Sequence, residues 1–215
     1  LSFGADYDQD GDVDALDFLE DEALGRLKII TDLGTTGANC DATGAAPTGC
    51  TYTELYAFGA RSFSIFNADT KALVFDSGSD FERITAERFP ENFNAQNDSN
   101  DFDSRSDDKG PEPEGVELAV IDGRTYAFIN LERVGGVMVY DVTEPERSEF
   151  VQYITNRDFS LADADLAAGV TDLGPEITHF IGAEDSPSGV PLLLVSNEVS
   201  GTLAVYQIDV RQIGN

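Results

Sequence analysis

GPEPEGVELAVIDGRTYAFINLERVGGVMVYDV, residues 110–142, contains a complete small unit of β structure. It begins with an acidic turn that contains proline and continues with two apolar runs, residues 116–121 and 126–131. It then breaks at Gly135 and Gly136 and ends in the alternating residues 137–142. Short runs rich in β-branched and aromatic residues, separated by glycine and proline, are typical of strands. The stretch therefore predicts three short strands joined by tight turns.

A second, divergent copy of this unit closes the chain. The two copies start at Gly110 and Gly174, and the second has its middle strand over residues 191–196 and its last strand over residues 203–208. The turn 131–136 of the first copy aligns with the turn 197–201 of the second. Repetition of a small β unit indicates a β-propeller or a β-sandwich of meanders, and we favour the propeller.

The region before the central unit carries further β signals. We predict a third meander with strands over residues 52–56, 61–66 and 72–75. Residues 77–109 form a long insertion, which starts with a helix-like segment and continues as a loop rich in Asn, Asp and Ser. The helix-like segment covers residues 81–89, and two further strands are predicted over residues 26–31 and 150–154.

The predicted fold is all-β: a partial β-propeller of three to four antiparallel blades with a short N-terminal calcium loop and helix. Residues 1–25 form the loop and helix, and residues 26–215 form the blades, with the long insertion at 77–109. Propellers typically close with about four to eight blades. We therefore expect the N-terminal remainder of the same protein, or other chains, to complete the propeller.

The charge balance restricts the partners. The chain of 215 residues has 13 Lys and Arg against 41 Asp and Glu, so its formal charge is 13 − 41 = −28. Nucleic acid and anionic membranes would be repelled, which leaves cations as natural partners. A surface kept soluble in salty water is the other explanation for the acidity. No apolar run reaches the ~18 residues of a membrane span, and no signal peptide is present. We therefore expect a mature piece of a longer secreted chain.

Residues 6–17, DYDQDGDVDALD, follow the spacing of a calcium-binding loop. Oxygen ligands at alternating positions suit Ca²⁺, because such a loop winds around a cation that takes about six to eight oxygens. Gly11 supplies the sharp turn, and the last position is Asp instead of the usual bidentate glutamate. An acidic, solvated turn is the alternative. The predicted ligands are Asp6, Asp8, Asp10, Asp12, Asp14 and Asp17.

Two cysteines flank a loop of small residues, CDATGAAPTGC, that cannot form a core of its own. A disulfide between Cys40 and Cys50 would stabilise the folded chain by roughly 3 kcal/mol in the chain-entropy model. Such a bond implies an oxidising compartment. Two unpaired thiols in a cytosolic loop are the alternative, since nothing nearby suggests metal or redox use.

Several segments resemble the C-terminal half of the choice-of-anchor I family. They are LGRLKIITDLG, YTELYAFGARSFSI, VFDSGSDFERITAERFPENFN, SDDKGPEPEGV, GRTYAFINLERVGGVMVYDV and PLLLVSNEVSGTLAVYQI, which lie within residues 24–208. That family includes bacterial secreted proteins and is similar to mesenchyme-specific cell surface glycoproteins. The resemblance implies an extracellular or surface-attached β-propeller, and some members are described as, or fused to, alkaline phosphatases or nucleotidases. It supplies no catalytic motif, and Ile177 stands where Gly or Leu is expected after Glu176.

Catalysis by a Ser-His-acid set or by zinc has little support in the sequence. The only histidine, His179, lies in an apolar run, and no G-x-S-x-G motif exists. We expect a core or rim histidine. Glutamates recur instead at the starts and turns of the two copies, and equivalent turns of a propeller converge on one face. We therefore expect an acidic mouth that could hold Ca²⁺, formed by Glu112, Glu114, Glu132, Glu176 and Glu198.

Two functions fit these features. The first is an extracellular calcium-binding propeller with a structural or surface and matrix interaction role. The second is a calcium-dependent phosphoesterase, an alkaline phosphatase or nucleotidase component, in which Arg105, Lys109 and Arg133 would take the phosphate. A third interpretation is that the glutamates only cap turns and pair with arginines. The sequence leaves open whether the chain is an enzyme.

The N-terminal loop generates a first prediction. Replacing Asp8 and Asp10 together by alanine removes two carboxylates from the calcium loop, so one class of Ca²⁺ sites should disappear from the calorimetric isotherm. The control is the double alanine variant of Asp163 and Asp165, which lie in the acidic linker of residues 157–173 and should leave the isotherm unchanged. An isotherm that is the same for all three proteins would contradict the loop assignment.

Overall fold

The computed structural model describes residues 11, 17, 20, 23–30, 32–36 and 51–209. These residues are mostly β, with four small antiparallel sheets and few helices. The chain divides into two compact units, residues 1–60 with 105–110 and residues 61–104 with 111–215. The predicted division at residue 25 rests largely on residues outside the described ranges and stays a prediction.

The first unit contains little regular structure. Strand β1 (Thr35–Thr36) pairs with β2 (Thr51–Tyr52) in a two-stranded antiparallel sheet. Within the described residues, the strand predicted over 26–31 is reduced to a single bridge between Ile29 and Ala57. The Arg26 guanidinium binds the Asp107 carboxylate, which joins the segment 105–110 to this unit.

The third predicted meander is confirmed for its last two strands and wrong for the first. Strands β3 (Ser64–Phe66) and β4 (Leu73–Asp76) form a hairpin of two strands, and Thr51–Tyr52 pairs with β1 instead. The chain bends between the predicted strands, where Gly59 has a left-handed φ of 74°. A turn follows β3, in which the Asn67 side chain accepts hydrogen bonds from the backbone N–H groups of Asp69 and Thr70.

The second unit is built on a four-stranded antiparallel sheet. Its strands are β5 (Pro113–Ile121), β6 (Arg124–Leu131), β7 (Val137–Asp141) and β8 (Glu149–Ile154), in that order across the sheet. This confirms the three strands predicted in residues 110–142 and the fourth predicted at 150–154. Asp122 and Gly123 form the turn between β5 and β6, both with positive φ, as two-residue hairpins require.

A three-stranded antiparallel sheet follows. Its strands are β9 (Pro175–Ile181), β10 (Leu192–Asn197) and β11 (Thr202–Gln207), and their spatial order follows the sequence. Helix α1 (Asp80–Arg88) confirms the helix predicted in the insertion, and α2 (Asp163–Ala167) is a short helix in the acidic linker before β9.

Both faces of the four-stranded sheet pack on other elements, although one face of β5 stays exposed. One face packs on α1 and the β3–β4 hairpin through a core that includes Phe81, Ile129 and Tyr140. The other face packs on the β9–β11 sheet through a second core. Every residue of β7 is consequently buried. The sheets of the described residues do not close into a ring.

The last two sheets share the same turn geometry. The Glu132 N–H donates to the Glu112 carbonyl at 2.9 Å, and the Glu198 N–H donates to the Gly174 carbonyl at 2.8 Å. Pro113 stands opposite Leu131 and Pro175 opposite Asn197. The structural counterpart of Gly174 is therefore Glu112 and not Gly110. The sequence comparison, which aligned Gly110 with Gly174, was therefore wrong by two residues at the first strand. Residues 110–115, GPEPEG, contain two Pro-Glu pairs, and it is the second pair that enters the sheet.

Arg157 ties the insertion loop to the turn between β6 and β7. Its guanidinium is buried and donates to the backbone carbonyls of Arg133 at 2.8 Å, Gln96 at 2.7 Å and Ser99 at 2.9 Å. The guanidinium carbon also lies 4.7 Å from the centre of the Phe159 ring. Burial lowers the pKa of Arg157 to about 10, so the side chain stays charged at neutral pH.

Arg157→Ala should strongly destabilise the second unit. Removal of the guanidinium leaves several buried carbonyl oxygens without a charged donor, so we expect a loss of about 3 kcal/mol in the free energy of unfolding. Urea denaturation measures this loss. The control is Arg147→Ala, whose side chain is 82% exposed and 3.8 Å from its acidic partner, and it should change the free energy by less than about 0.5 kcal/mol. Equal effects of the two variants would contradict the role of Arg157.

Candidate metal site

Three glutamates meet beside the first strand of the four-stranded sheet. Carboxylate oxygens of Glu112, Glu114 and Glu132 all lie within 4.8 Å of one another, with Glu112 and Glu132 buried and Glu114 exposed. Glu112 precedes β5, Glu114 lies in it, and Glu132 directly follows β6. The backbone bond from Glu132 to Glu112 and the pairing of Pro113 with Leu131 hold the two segments side by side.

One arginine and one asparagine bind this cluster. Arg133 places Nε 3.2 Å from Glu112 Oε1 and Nη1 3.0 Å from Glu132 Oε1. The Asn97 side-chain amide donates to Glu132 Oε1 at 3.4 Å. Arg133 supplies one positive charge beside three carboxylates. The interpretation that these glutamates pair with arginines fits Glu112 and Glu132.

The crowding of carboxylates changes their titration. Burial raises the pKa of Glu132 to about 7, and the charges of Glu114 and Glu112 act in the same direction, against the lowering effect of Arg133. The pKa of Glu176 is also raised, first by a hydrogen bond with Glu114 and then by burial and by the charges of Glu114 and Glu198. Without a cation, the group therefore holds protons close to neutral pH.

The other two predicted members lie at the corresponding corner of the β9–β11 sheet. Glu176 lies in β9 at hydrogen-bonding distance from Glu114, whereas Glu198 is exposed in the turn after β10 and acts on Glu176 through its charge. The three-carboxylate cluster forms only at the first sheet, because Gly174 stands where the first sheet has Glu112. The structure thus brings four of the predicted glutamates together, with Glu198 at the edge.

Most of the remaining predicted site residues fall outside the described ranges. Asp6, Asp8, Asp10, Asp12 and Asp14 of the calcium loop do so, as do Cys40 and Cys50. Asp17, the last position of the loop, is described and is only 2% exposed.

The residues proposed for phosphate binding or for a core histidine have other contacts. Arg105 forms an ion pair with Asp108 at 3.1 Å. The His179 side chain is 71% exposed and lies 3.5 Å from Glu117 Oε1. Of the two expected positions, core or rim, the core is therefore wrong.

Sequence reasoning missed Asn97 and assigned Arg133 to a different task. Asn97 lies in the long insertion, 35 residues before Glu132, and no spacing pattern links the two. Arg133 was assigned to a phosphate, but it binds two members of the acidic cluster. Its position directly after Glu132, in a turn that must fold back on the first strand, was the available signal.

The geometry suits a hard cation. Calcium binds carboxylate oxygens at about 2.4 Å, so ligand oxygens on opposite sides of one ion stand about 4.8 Å apart. The ligand oxygens of the cluster lie within this distance of one another, so one ion can reach all three glutamates. Magnesium requires near-octahedral geometry and gives up its waters reluctantly, so a site made of protein carboxylates suits it less well.

A family model extends over most of the sequence: the choice-of-anchor I domain matches residues 7–145. This chain belongs to the choice-of-anchor I domain family. The matched region of this choice-of-anchor I chain contains Glu112, Glu114 and Glu132, whereas Glu176 and Glu198 lie beyond it.

Two curated proteins are similar to this choice-of-anchor I chain. Gigasin-3a of Magallana gigas is 28% identical over 197 residues, covering 87% of this chain and 66% of the relative. The Mesenchyme-specific cell surface glycoprotein of Strongylocentrotus purpuratus is 29% identical over 104 residues, covering 42% of this chain and 13% of the relative. The chain thus spans less than two thirds of either relative's length. No solved structure shows a significant match.

Within the described residues, none of the helices has the length and apolar character needed to cross a membrane.

The raised pKa of Glu132 generates a prediction about stability without divalent cations. The folded state keeps the Glu132 proton up to about pH 7, whereas the unfolded chain releases it near the usual pKa of 4.5. Between these values the folded state binds more protons, so the free energy of unfolding should fall as pH rises. Glu132→Gln removes this titration and should flatten the profile.

Urea denaturation in chelator between pH 5 and about 8 tests this prediction. Glu144→Gln is the matched control, because the Glu144 side chain is 72% exposed. It should keep the wild-type slope. Parallel profiles for wild type and Glu132→Gln would show that Glu132 does not titrate in this window.

Proposed function

We propose that this chain is an extracellular calcium-binding protein of β-propeller type with a structural or surface and matrix interaction role. The observation that carries the calcium part is the meeting of three glutamates within 4.8 Å of one another beside Arg133. The N-terminal aspartate loop stays a second proposed calcium site.

The cluster offers calcium ligands with a route of access. Carboxylates can bind Ca²⁺ through one or both oxygens, and water fills the remaining positions of its flexible coordination sphere. Glu112 and Glu132 supply buried ligands, and the exposed Glu114 leaves the group accessible from solvent. Bound calcium would displace the Glu132 proton, since a ligand must be deprotonated to bind a cation. Calcium affinity should therefore rise with pH up to about 7.

The propeller part of the proposal is supported by how consecutive sheets stack. The β5–β8 sheet packs between the β3–β4 hairpin and the β9–β11 sheet, as a blade lies between its neighbours. The first strands of the last two sheets contact each other, because the Phe180 N–H in β9 donates to Glu117 in β5 at 3.0 Å. The acidic corner carrying Glu114 consequently lies beside the one carrying Glu176.

The extracellular location is supported by the relatives. The name of the sea urchin relative describes a cell surface glycoprotein, and the family membership extends this expectation to the present chain. Extracellular calcium modules bind with dissociation constants of about 10⁻⁴ to 10⁻³ M. We expect an affinity in this range for the glutamate cluster.

The phosphoesterase hypothesis has no specific observation in its favour. It required Arg133 to contact a phosphate, but this guanidinium binds Glu112 and Glu132. A calcium-dependent phosphoesterase therefore stays the alternative function. A phosphatase assay of the purified chain in the presence of Ca²⁺ tests it.

Calorimetric titration of Ca²⁺ tests the glutamate site. The background is the Asp8→Ala, Asp10→Ala chain, which removes the proposed loop site from the isotherm. Adding Glu114→Gln should weaken the remaining site by about tenfold or more, because a charged ligand is replaced by a neutral one. Adding Glu144→Gln, an exposed glutamate away from the cluster, should leave it unchanged. Identical isotherms for these two variants would overturn the proposal.

A further inference from the structure

The outer face of the β9–β11 sheet is apolar and uncovered. This outer face is the side turned away from the β5–β8 sheet, and Ile177, Leu203 and Val205 on it are 65%, 60% and 57% exposed. None of the residues that alternate onto this side of the three strands is acidic, although the chain has 41 Asp and Glu. An apolar patch without acids on so acidic a protein indicates a contact surface.

Comparison of the β9–β11 sheet with the β5–β8 sheet indicates what packs on the outer face. Because the turns align, the strand registers match position by position: Val137 corresponds to Leu203 and Val139 to Val205. Val137 is 1% exposed and Val139 is 8% exposed, and both belong to the core shared with the β9–β11 sheet. The outer face is therefore the counterpart of the surface on which the β9–β11 sheet itself packs.

We propose that the outer face of the β9–β11 sheet is the docking surface for a further antiparallel β-sheet of the same kind, carried by the same polypeptide outside these 215 residues. The proposal rests on the propeller arrangement proposed above. The proposal goes further than the propeller arrangement in three respects. It names the face on which the next sheet packs, the residues that this sheet covers and the polypeptide that carries it.

The size of the face favours a tethered sheet over a second copy of the chain. Three strands about 4.8 Å apart, each about six residues long with a rise of about 3.3 Å, cover roughly 300 Å². Stable complexes bury about 800 Å² on each partner. Two chains with a formal charge of −28 also repel each other. A sheet on the same polypeptide avoids both difficulties, because tethering gives an effective concentration in the millimolar range.

The first strand of the incoming sheet should stand further away than β9 stands from β5. Strand β9 approaches so closely that a Cβ atom on Gly115 would lie 2.3 Å from the Glu176 carbonyl oxygen. Ile177 occupies the position that corresponds to Gly115, so its side chain would fill a wider gap. His179 likewise corresponds to Glu117, so the incoming strand meets an imidazole instead of a carboxylate.

A second uncovered strip lies at the opposite side of the stack. On β5, Val116, Leu118 and Val120 are 61%, 62% and 67% exposed. Their counterparts on β9 face the β5–β8 sheet, where Thr178 is 8% exposed and Phe180 packs on the shared core. The β3–β4 hairpin has only two strands and leaves β5 uncovered. The outer face of the β9–β11 sheet and this strip of β5 are thus both surfaces on which neighbouring sheets of the same kind would pack.

Thiol labelling tests the docking surface. Val205→Cys is prepared in the isolated 215-residue chain and in the natural polypeptide that carries it, and its reaction rate with a thiol reagent is compared after subtracting that of the parent protein. We expect at least tenfold slower labelling in the natural polypeptide. Glu146→Cys is the control, because Glu146 is exposed in the turn between β7 and β8, and it should react equally in both proteins.

The possible outcomes separate the occupants. Equal labelling of Val205→Cys in both proteins overturns the proposal. Protection that already appears in the isolated chain and grows with its concentration assigns the face to a second copy, and so overturns the choice of a tethered sheet. Calcium titration of the same samples separates the two proposals: lost calcium binding with intact protection refutes only the calcium site, and intact binding without protection refutes only the docking surface.

A charge variant supplies a second readout. Leu203→Glu combined with Val205→Glu should leave the unfolding free energy of the isolated chain nearly unchanged, because both side chains already face solvent. The same pair should lower the melting temperature of the natural polypeptide by several degrees. Equal melting-temperature shifts in the two proteins would overturn the proposal.

Discussion

The second unit depends on the burial of one guanidinium. Arg157 replaces water around several backbone carbonyls that no strand can satisfy, those of the insertion loop at Gln96 and Ser99 and that of the turn at Arg133. A buried charge is costly unless it is hydrogen-bonded, so the loop and the turn must stay where the guanidinium can reach them. The same turn places Glu132 against Glu112. The geometry of the acidic cluster is therefore linked to a positive charge that is not itself part of the cluster.

The cluster combines groups that oppose one another. Three carboxylates are brought together with limited solvent, and the Arg133 guanidinium opposes the effect of this crowding on Glu132. Burial is the main cause of the raised pKa of Glu132, and the charges of Glu114 and Glu112 raise this pKa further. In the absence of a cation, protonation therefore relieves both the desolvation and the repulsion. In the calcium-binding role proposed above, exchange of this proton for a divalent ion would couple calcium binding to pH.

Sheet stacking connects this site to the proposed propeller arrangement. Equivalent corners of adjacent sheets carry Glu114 and Glu176, and the contact between the first strands brings these corners together. The same stacking leaves apolar strips uncovered where further sheets of the same type would lie. The single replacement of a glutamate position by Gly174 makes one corner rich in carboxylates and the next one poorer. Divergence between the copies therefore changes the chemistry of a corner without changing its backbone geometry.

The amino-acid sequence by itself determined the strands of both copies, helix α1 and the identity of the glutamates at the corners. These features depend on local patterns, namely alternation of apolar residues, glycine at turns and proline at strand starts. Such patterns involve residues close together in the sequence, so they can be recognised from the sequence alone. Only the tertiary structure decided which Pro-Glu pair of residues 110–115 enters the sheet, that residues 51–52 pair with β1, and that Asn97 and Arg133 bind the cluster. Those outcomes depend on contacts between residues far apart in sequence, where strand pairing and burial compete, and no spacing rule records the result of that competition.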